Sequence, residues 1–327
     1  MRAAWYERNG GAHEVLVVGE LPTPCPGPGE VLVRLHTSGI NPSDVKARQR
    51  RPLEASRIVP HSDGGGVIQA VGSGVSERRV GQRVWLWNGQ WKRSMGTACE
   101  FIALPESQAV VLPDEADFQM AACLGIPALT ALHAIRMAGN LGGKSILVTG
   151  AGNAVGHYVV QLARLRGATV IGTAGSEGRS THARSAGVHH LIDYKRESIA
   201  ERVKEITHGA GVNLIIDMDF STTADLLGKG ALMSHGTVVT YGSNAVGPTV
   251  VDFRTMLWDS LAIKAFLVYD LLQEDRALAI QELNDLLRSN QLTHAIHSMH
   301  SLDHIVNAHE IVESGSAVGK VMLSLQP

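Results

Sequence analysis

The sequence predicts an α/β chain, a mainly antiparallel β region followed by a doubly wound parallel sheet. Three observations point there. Residues 144–194 read as strand, glycine-rich turn, helix and strand; the chain before residue 126 breaks into short strand-like runs separated by Gly and Pro; and beyond residue 194 strands and helices alternate.

The first observation is the most specific. Ser145-Ile-Leu-Val-Thr149 is an apolar run suited to a fully buried parallel strand, and it ends directly in Gly150-Ala-Gly152-Asn-Ala-Val-Gly156. From Val155 the apolar positions Val159, Leu162 and Ala163 recur at helical spacing, and Gly167 is placed to end the helix in a left-handed cap. Thr169-Val-Ile171 completes strand, helix and strand within about thirty residues, the size of one dinucleotide-binding unit. Glycines in such a turn let the backbone approach a pyrophosphate, whose charge meets the amides of the helix N-terminus. The spacing has one residue more than G-x-G-x-x-G between its second and third glycines, so the context carries more weight than the letters.

An NAD site needs an Asp or Glu about twenty residues further on to hold the ribose hydroxyl. That place is Ala174, followed by Gly175, Ser176, Glu177, Gly178 and Arg179. A guanidinium can pair with a 2′-phosphate, and a carboxylate there would repel one, so the expected cofactor is NADPH. The plainer alternative is an arginine that merely meets solvent at a helix start.

In the N-terminal part, Glu14–Val18, Glu30–Leu35, Gly66–Val71 and Gln82–Leu86 are strand-like, and the Pro- and Gly-rich stretch 22–29 excludes helix or central sheet. Trp91, Lys92 and Arg93 lie in a glycine-flanked loop, a candidate lid or a solvated basic loop. Phe118 to Ala138 has helical spacing around Gly125 and Pro127. Strands are expected at Val188–Tyr194, Asn213–Asp217, Thr237–Tyr241 and Ala262–Val268, a helix at Leu271–Leu287, and a final strand at Lys320–Leu325. A doubly wound sheet places its ligand crevice at the carboxyl ends of the strands.

At 327 residues the chain is long enough for two domains. A net charge of −2 argues against a dedicated nucleic-acid or anionic-membrane surface and for small-molecule or protein partners. No secretory pattern opens the sequence, no apolar run approaches the roughly eighteen residues of a membrane span, and Cys25, Cys99 and Cys123 suggest no disulfide framework. A soluble, cytoplasmic protein is expected. His294, His297, His300 and His304 are the densest of fifteen histidines, but their spacing fits no single helix face, so no metal site is expected. No G-x-S-x-G turn offers a hydrolase nucleophile.

Further motifs are Ser38-Gly-Ile-Asn-Pro-Ser-Asp44, Pro60-His-Ser-Asp-Gly64, Gly81-Gln-Arg-Val84, Gly125-Ile-Pro127 with Thr130, Gly172-Thr-Ala-Gly175, Ile192-Asp-Tyr194, Gly242-Ser243 and Gly319-Lys320. With these the whole chain closely resembles the zinc-free quinone oxidoreductases of the zeta-crystallin type, in the medium-chain dehydrogenase/reductase superfamily. The resemblance implies a GroES-like β domain, formed by residues 1–125 and 270–327, and a Rossmann NADPH-binding domain at 126–269, with the cofactor in the cleft between them. It implies Asn41 and Thr130 near the nicotinamide end; Gly150, Gly152, Asn153, Ala154, Val155 and Gly156 at the pyrophosphate; and Gly175, Ser176, Arg179 and Tyr194 around the adenosine phosphate. Gly242, Ser243, Asn244, Phe266 and Leu267 would line the nicotinamide side, and a homodimer would form along the edge 262–268, where Lys264 is a charge able to oppose such pairing.

The departures are informative. The zinc alcohol dehydrogenases carry a cysteine where this chain has Asn41, a histidine where it has Ser62, and a four-cysteine lobe with no counterpart here. The tyrosine usual in quinone reductases after the Asn-Pro turn corresponds to Lys46, and Asn153, a residue that tolerates a left-handed backbone, replaces a turn glycine. The expected activity is metal-free hydride transfer from NADPH to a quinone or similar conjugated carbonyl, with Asn41 and Lys46 as the catalytic candidates orienting or polarising the acceptor oxygen. The alternatives are an enone or alkenal double-bond reductase with the same cofactor, and a nucleotide-bound structural or RNA-binding protein.

Overall fold

The structure is a computed structural model and describes residues 1–325; the expected segment 270–327 thus ends on two residues outside the described ones. The chain opens with β1 (Arg2–Trp5), α1 (Ala12–Val15) and β2 (Val17–Glu20), the two strands pairing antiparallel. The expected strand at 14–18 starts only at Val17. The Gly11 amide donates to the Glu14 carboxylate at 2.9 Å, and this closes one helical turn ahead of the strand.

After the Pro- and Gly-rich connection come β3 (Glu30–Ile40), α2 (Pro42–Arg50), β4 (Asp63–Val71), β5 (Arg83–Leu86), β6 (Phe101–Pro105) and β7 (Ala109–Val111). The helical stretch that follows is α3 (Phe118–Ala121), a π turn at Leu124–Ala128, and α4 (Leu129–Ala138). Pro127 lacks the amide that an unbroken α-helix would use.

The alternating region runs β8 (Ser145–Val148), α5 (Ala154–Leu165), β9 (Thr169–Ala174), α6 (Glu177–Ala186), β10 (His190–Asp193), α7 (Ile199–Ile206), β11 (Val212–Asp217), α8 (Phe220–Thr223), β12 (Leu232–Thr240), α9 (Phe253–Trp258) and β13 (Ala262–Ala265). All six strands are parallel, in the order β10-β9-β8-β11-β12-β13. The strand order reverses direction between β8 and β11, which is the switch point where such sheets open a ligand crevice. Gly167 ends α5 at φ +77°, in the left-handed cap its position predicts.

The chain closes with α10 (Gln273–Arg288), β14 (Ile296–Ser301), α11 (Ile305–Glu313) and β15 (Lys320–Ser324). These last strands extend the first sheet, whose order is β14-β15-β3-β4-β5-β7 with β6 pairing β3. Two compact units result: Met1–Ile126 with Ile280–Pro327, and Pro127–Ala279. The division falls inside α10.

The core of the first unit gathers Val31, Val33, Leu35, Ile68, Val84 and Leu86 from its strands together with Ile305, Val321 and Leu323 from the returning segment. Each such fully buried side chain stabilises the fold by roughly 1.5–3 kcal/mol. The second unit packs Leu147, Ile171, Ile192, Ile215 and Val238, one from each of five successive strands, against Ala200, Val203 and Leu227. No helix among the described residues is long and apolar enough to cross a membrane.

Candidate active site

Of the residues proposed for the cofactor, Gly150–Gly156, Gly175, Ser176, Arg179, Tyr194, Gly242–Asn244, Phe266 and Leu267 follow the carboxyl ends of the parallel strands. β8 runs out into Gly150, which takes φ +66°. Asn153 is therefore not the left-handed residue of the turn. It is the N-cap of α5 in extended conformation at φ −93°, its amide donating to the Gly150 carbonyl at 2.9 Å. The first backbone bond of α5 is His157 N–H to the Asn153 carbonyl. The amides of Ala154, Val155 and Gly156 therefore precede the intrahelical ladder and supply the donors an anion requires.

The glycines are required by contact. A Cβ on Gly156 would stand 2.1 Å from the Gly150 carbonyl oxygen, and one on Gly152 2.3 Å from that of Arg179. These clearances fit a pyrophosphate cradle, since only glycine admits backbone this close.

On the adenosine side, β9 ends at the buried Ala174. A Cβ on Gly175 would meet the Tyr194 ring at 2.5 Å, so Tyr194 lies directly over this glycine. Ser176 caps α6, accepting the Arg179 amide at 3.4 Å, and Arg179 is half-buried in the first turn. No carboxylate occupies the end of β9, and the arginine stands one helical turn away. The set fits a 2′-phosphate.

Between β11 and β12 the organising group is Asp217, which is fully buried. Its carboxylate accepts from the hydroxyls of Thr149 at 2.8 Å, Thr223 at 2.7 Å and Thr240 at 3.1 Å, and from the Asp219 amide at 3.1 Å. The ends of β8, β11 and β12 are thereby tied together at the switch point. Burial raises its pKa, against these hydrogen bonds. For Asp219, burial also pushes upward, but bonds from Ser221 and Asn244 outweigh it and the net direction is down. Asp219 accepts both the Asn244 amide at 2.9 Å and its Nδ2 at 2.6 Å, which fixes the loop after β12.

In that loop Ser243 donates to the Ala245 carbonyl at 3.1 Å, and a Cβ on Gly242 would meet the Met218 carbonyl at 2.2 Å. Phe266 follows β13 and packs edge-on against His133 of α4, ring centroids 4.7 Å apart; Thr130 is buried on the same helix, and Leu267 is exposed.

Asn41 and Lys46 belong to the first unit. Asn41 is the N-cap of α2 and is 3 % exposed. Its amide Nδ2 donates to Asp63 at 2.9 Å, and its Oδ1 accepts from the Lys320 ammonium at 2.6 Å. Lys320 also pairs with Asp63 at 2.6 Å. Asp44 accepts the Asn41 backbone amide at 2.7 Å, completing the cap. Burial raises the Asp63 pKa, while Lys320 and Asn41 pull it back. Burial first, then the neighbouring Asp63, pushes Asp44 up from 3.8 to about 7. Lys46 lies on the exposed side of α2.

Around the Trp91 loop, the Arg51 guanidinium lies 5.3 Å from the ring centroid of Trp91, over a cavity of about 150 Å³ that Tyr6, Leu53 and Ile58 also line. Arg93 is no solvated surface charge: it donates to the Gly89 carbonyl at 2.7 Å and braces its own loop. Among the described residues no three His, Cys, Asp or Glu side chains are placed to share a metal ion. Ser62 is buried, and its neighbour His61 bonds Ser38 at 2.8 Å and His309 at 2.9 Å.

Sequence reasoning assigned no role to Asp217, Asp219, Asp63 or Lys320. An acid closing the apolar run Leu214–Ile216 was the visible trace of Asp217. Asp63 and Lys320 lie in quoted motifs, but nothing in a linear reading joins them.

Two family models match the chain: alcohol dehydrogenase GroES-like domain over residues 27–114, and zinc-binding dehydrogenase over residues 154–285. A quinone oxidoreductase of Mus musculus is 30% identical over 338 residues, covering 99% of this chain and 98% of its own. Among solved structures, an NAD-dependent alcohol dehydrogenase aligns with a TM-score of 0.89 at 26% identity, covering 100% of both chains. The quinone oxidoreductase of Escherichia coli complexed with NADPH aligns with a TM-score of 0.86 at 25% identity, covering 99% of this chain and 100% of its own.

Proposed function

Because the chain belongs to the quinone oxidoreductases of the medium-chain dehydrogenase/reductase superfamily, we propose that it is an NADPH:quinone reductase working without metal. The observation that carries the cofactor choice is the end of β9, where buried Ala174 replaces an acid and Arg179 follows in the first turn of α6.

When bound, NADPH supplies the hydride. The amides of Ala154, Val155 and Gly156 hold its pyrophosphate; Ser176, Arg179 and Tyr194 hold the adenosine phosphate. Gly242, Ser243, Asn244, Thr130, Phe266 and Leu267 are assigned to the nicotinamide side. At Asn41, Lys320 holds Oδ1 while the carboxylates of Asp63 and Asp44 both draw on Nδ2, so the amide is held in one orientation and is assigned to orient the acceptor oxygen. Lys46 is the second candidate for that oxygen.

The donors at positions 41 and 62 are an amide and a hydroxyl in place of a thiolate and an imidazole, a set poorly suited to zinc. A simple ketone needs its developing alkoxide stabilised by a metal or a positioned acid. A quinone spreads the incoming charge over its own ring and becomes aromatic, so it asks less of the protein.

The cofactor assignment is tested by titrating NADPH and NADH against the wild type and Arg179→Ala. NADPH is expected to bind more tightly, and the variant to lose about 1.5–3 kcal/mol of NADPH affinity with little change for NADH. Equal affinities in the wild type would sink it.

The protein is further assigned to the cytoplasm and to a homodimer built on β13, which pairs β12 on one flank only. In the same unit α9 exposes Phe253, Leu257 and Trp258, the last at 73 %, and the segment preceding it exposes Val246 and Val250. An unpaired strand edge and exposed apolar side chains of this size favour a cover. Lys264 does not stand guard over the edge, since its ammonium bonds the Met137 carbonyl at 3.0 Å. Light scattering at low micromolar concentration is expected to give twice 34.9 kDa, and a monomer refutes the dimer.

A further inference from the structure

One histidine joins the glycine-rich turn to the helix that carries Arg179. His182, on α6, donates its Nδ1 hydrogen to the Gly152 carbonyl at 3.0 Å. A carbonyl only accepts, so the proton is fixed on Nδ1. Nε2 is buried and takes no hydrogen bond from any described residue. The ring lies flat on that of His157 of α5, with centroids 4.1 Å apart and planes 10° from parallel. His157 is itself buried, so it serves as a fixed wall that sets the plane of His182.

The contact it secures is unusually close. A Cβ on Gly152 would stand 2.3 Å from the Arg179 carbonyl oxygen and 2.7 Å from the Arg179 Cβ, so turn and helix touch backbone to backbone. The Gly152 peptide is held at its oxygen by His182, and the next amide, that of Asn153, is held by the Gly150 carbonyl at 2.9 Å. With both ends of this peptide plane restrained, the direction of the free amides that follow is set before any ligand arrives.

We infer that His182 is a positioning residue of the cofactor site, locking the pyrophosphate-binding turn and the 2′-phosphate-binding start of α6 into one rigid cradle. The inference rests on the NADPH reading above and deepens it. Arg179 can discriminate the 2′-phosphate only while the pyrophosphate is seated at a fixed offset from it. Without the clamp, the nucleotide shifts on the turn and the arginine loses its target.

The test is a binding cycle read by NADPH titration, with melting temperatures as a fold control. His182→Leu is expected to raise the NADPH Kd about five- to tenfold while kcat at saturating cofactor stays within about twofold. In the His182→Leu background, Arg179→Ala should cost several-fold less than in the wild type, because the two groups act through one geometry. His182→Asn places an amide donor where Nδ1 stood, and it should restore most of the affinity. Unchanged NADPH affinity in a folded His182→Leu protein would overturn the clamp while leaving the cofactor assignment intact. So would equal losses in the Leu and Asn variants, or strict additivity with Arg179→Ala. A wild type with no preference for NADPH over NADH would overturn both.

Discussion

Lys320→Met is expected to destabilise the first unit by about 3–5 kcal/mol, the cost of leaving a buried carboxylate without its cation. Lys320 and Asp63 are 2 % and 0 % exposed and meet at 2.6 Å, with the ammonium also holding Asn41 Oδ1. Methionine fills similar volume but neutralises nothing. Removing both charges in Lys320→Met with Asp63→Asn should recover most of the loss, because a matched polar and apolar pair no longer buries a lone ion. Denaturant unfolding reads the effect. A loss below about 1 kcal/mol in the single variant would show that this pair is far better solvated than its burial indicates.

The second large effect is a pH dependence. Asp44 is pushed up from 3.8 to about 7, by burial first and by Asp63 second. A group whose folded pKa is raised stabilises the fold fully below its unfolded value and loses that contribution as pH rises through the folded one. The window here is therefore 3.8 to about 7, and the change is on the order of 4 kcal/mol. Asparagine can still accept the Asn41 amide through its side-chain oxygen while carrying no charge. Asp44→Asn should accordingly flatten the fall in stability from about pH 5 to about pH 8, and should be more stable than the wild type at the upper end. Parallel stability profiles for the two proteins would contradict this.

The parallel sheet was legible because its inner strands are buried on both faces. Runs such as Ile146–Val148 and Leu214–Ile216 are then continuously apolar, and glycines mark where backbone meets backbone. The glycine-rich turn after β8 was legible as a turn for the same reason, though not its conformation. The left-handed position fell to Gly150, leaving Asn153 extended as a cap.

What stayed hidden depends on partners remote in sequence. Asn41 and Lys320 are 279 residues apart, and Asp217 draws on Thr149, Thr223 and Thr240 from three separate parts of the chain. No periodicity reports such bonds. The misread strand at 14–18 has a local cause, since one side-chain cap at Gly11 was enough to convert a strand-like pattern into a helical turn.

The central claim is that this chain passes hydride from NADPH to a quinone, and steady-state absorbance of NADPH with matched acceptors tests it most directly. Simple ortho- or para-quinones are expected to be reduced faster than saturated aldehydes or ketones, with the rate kept in the presence of a chelator. Robust ketone reduction without quinone activity would contradict the account, preference for enones would move it to a double-bond reductase, and silence with every acceptor would favour a nucleotide-bound protein without this chemistry.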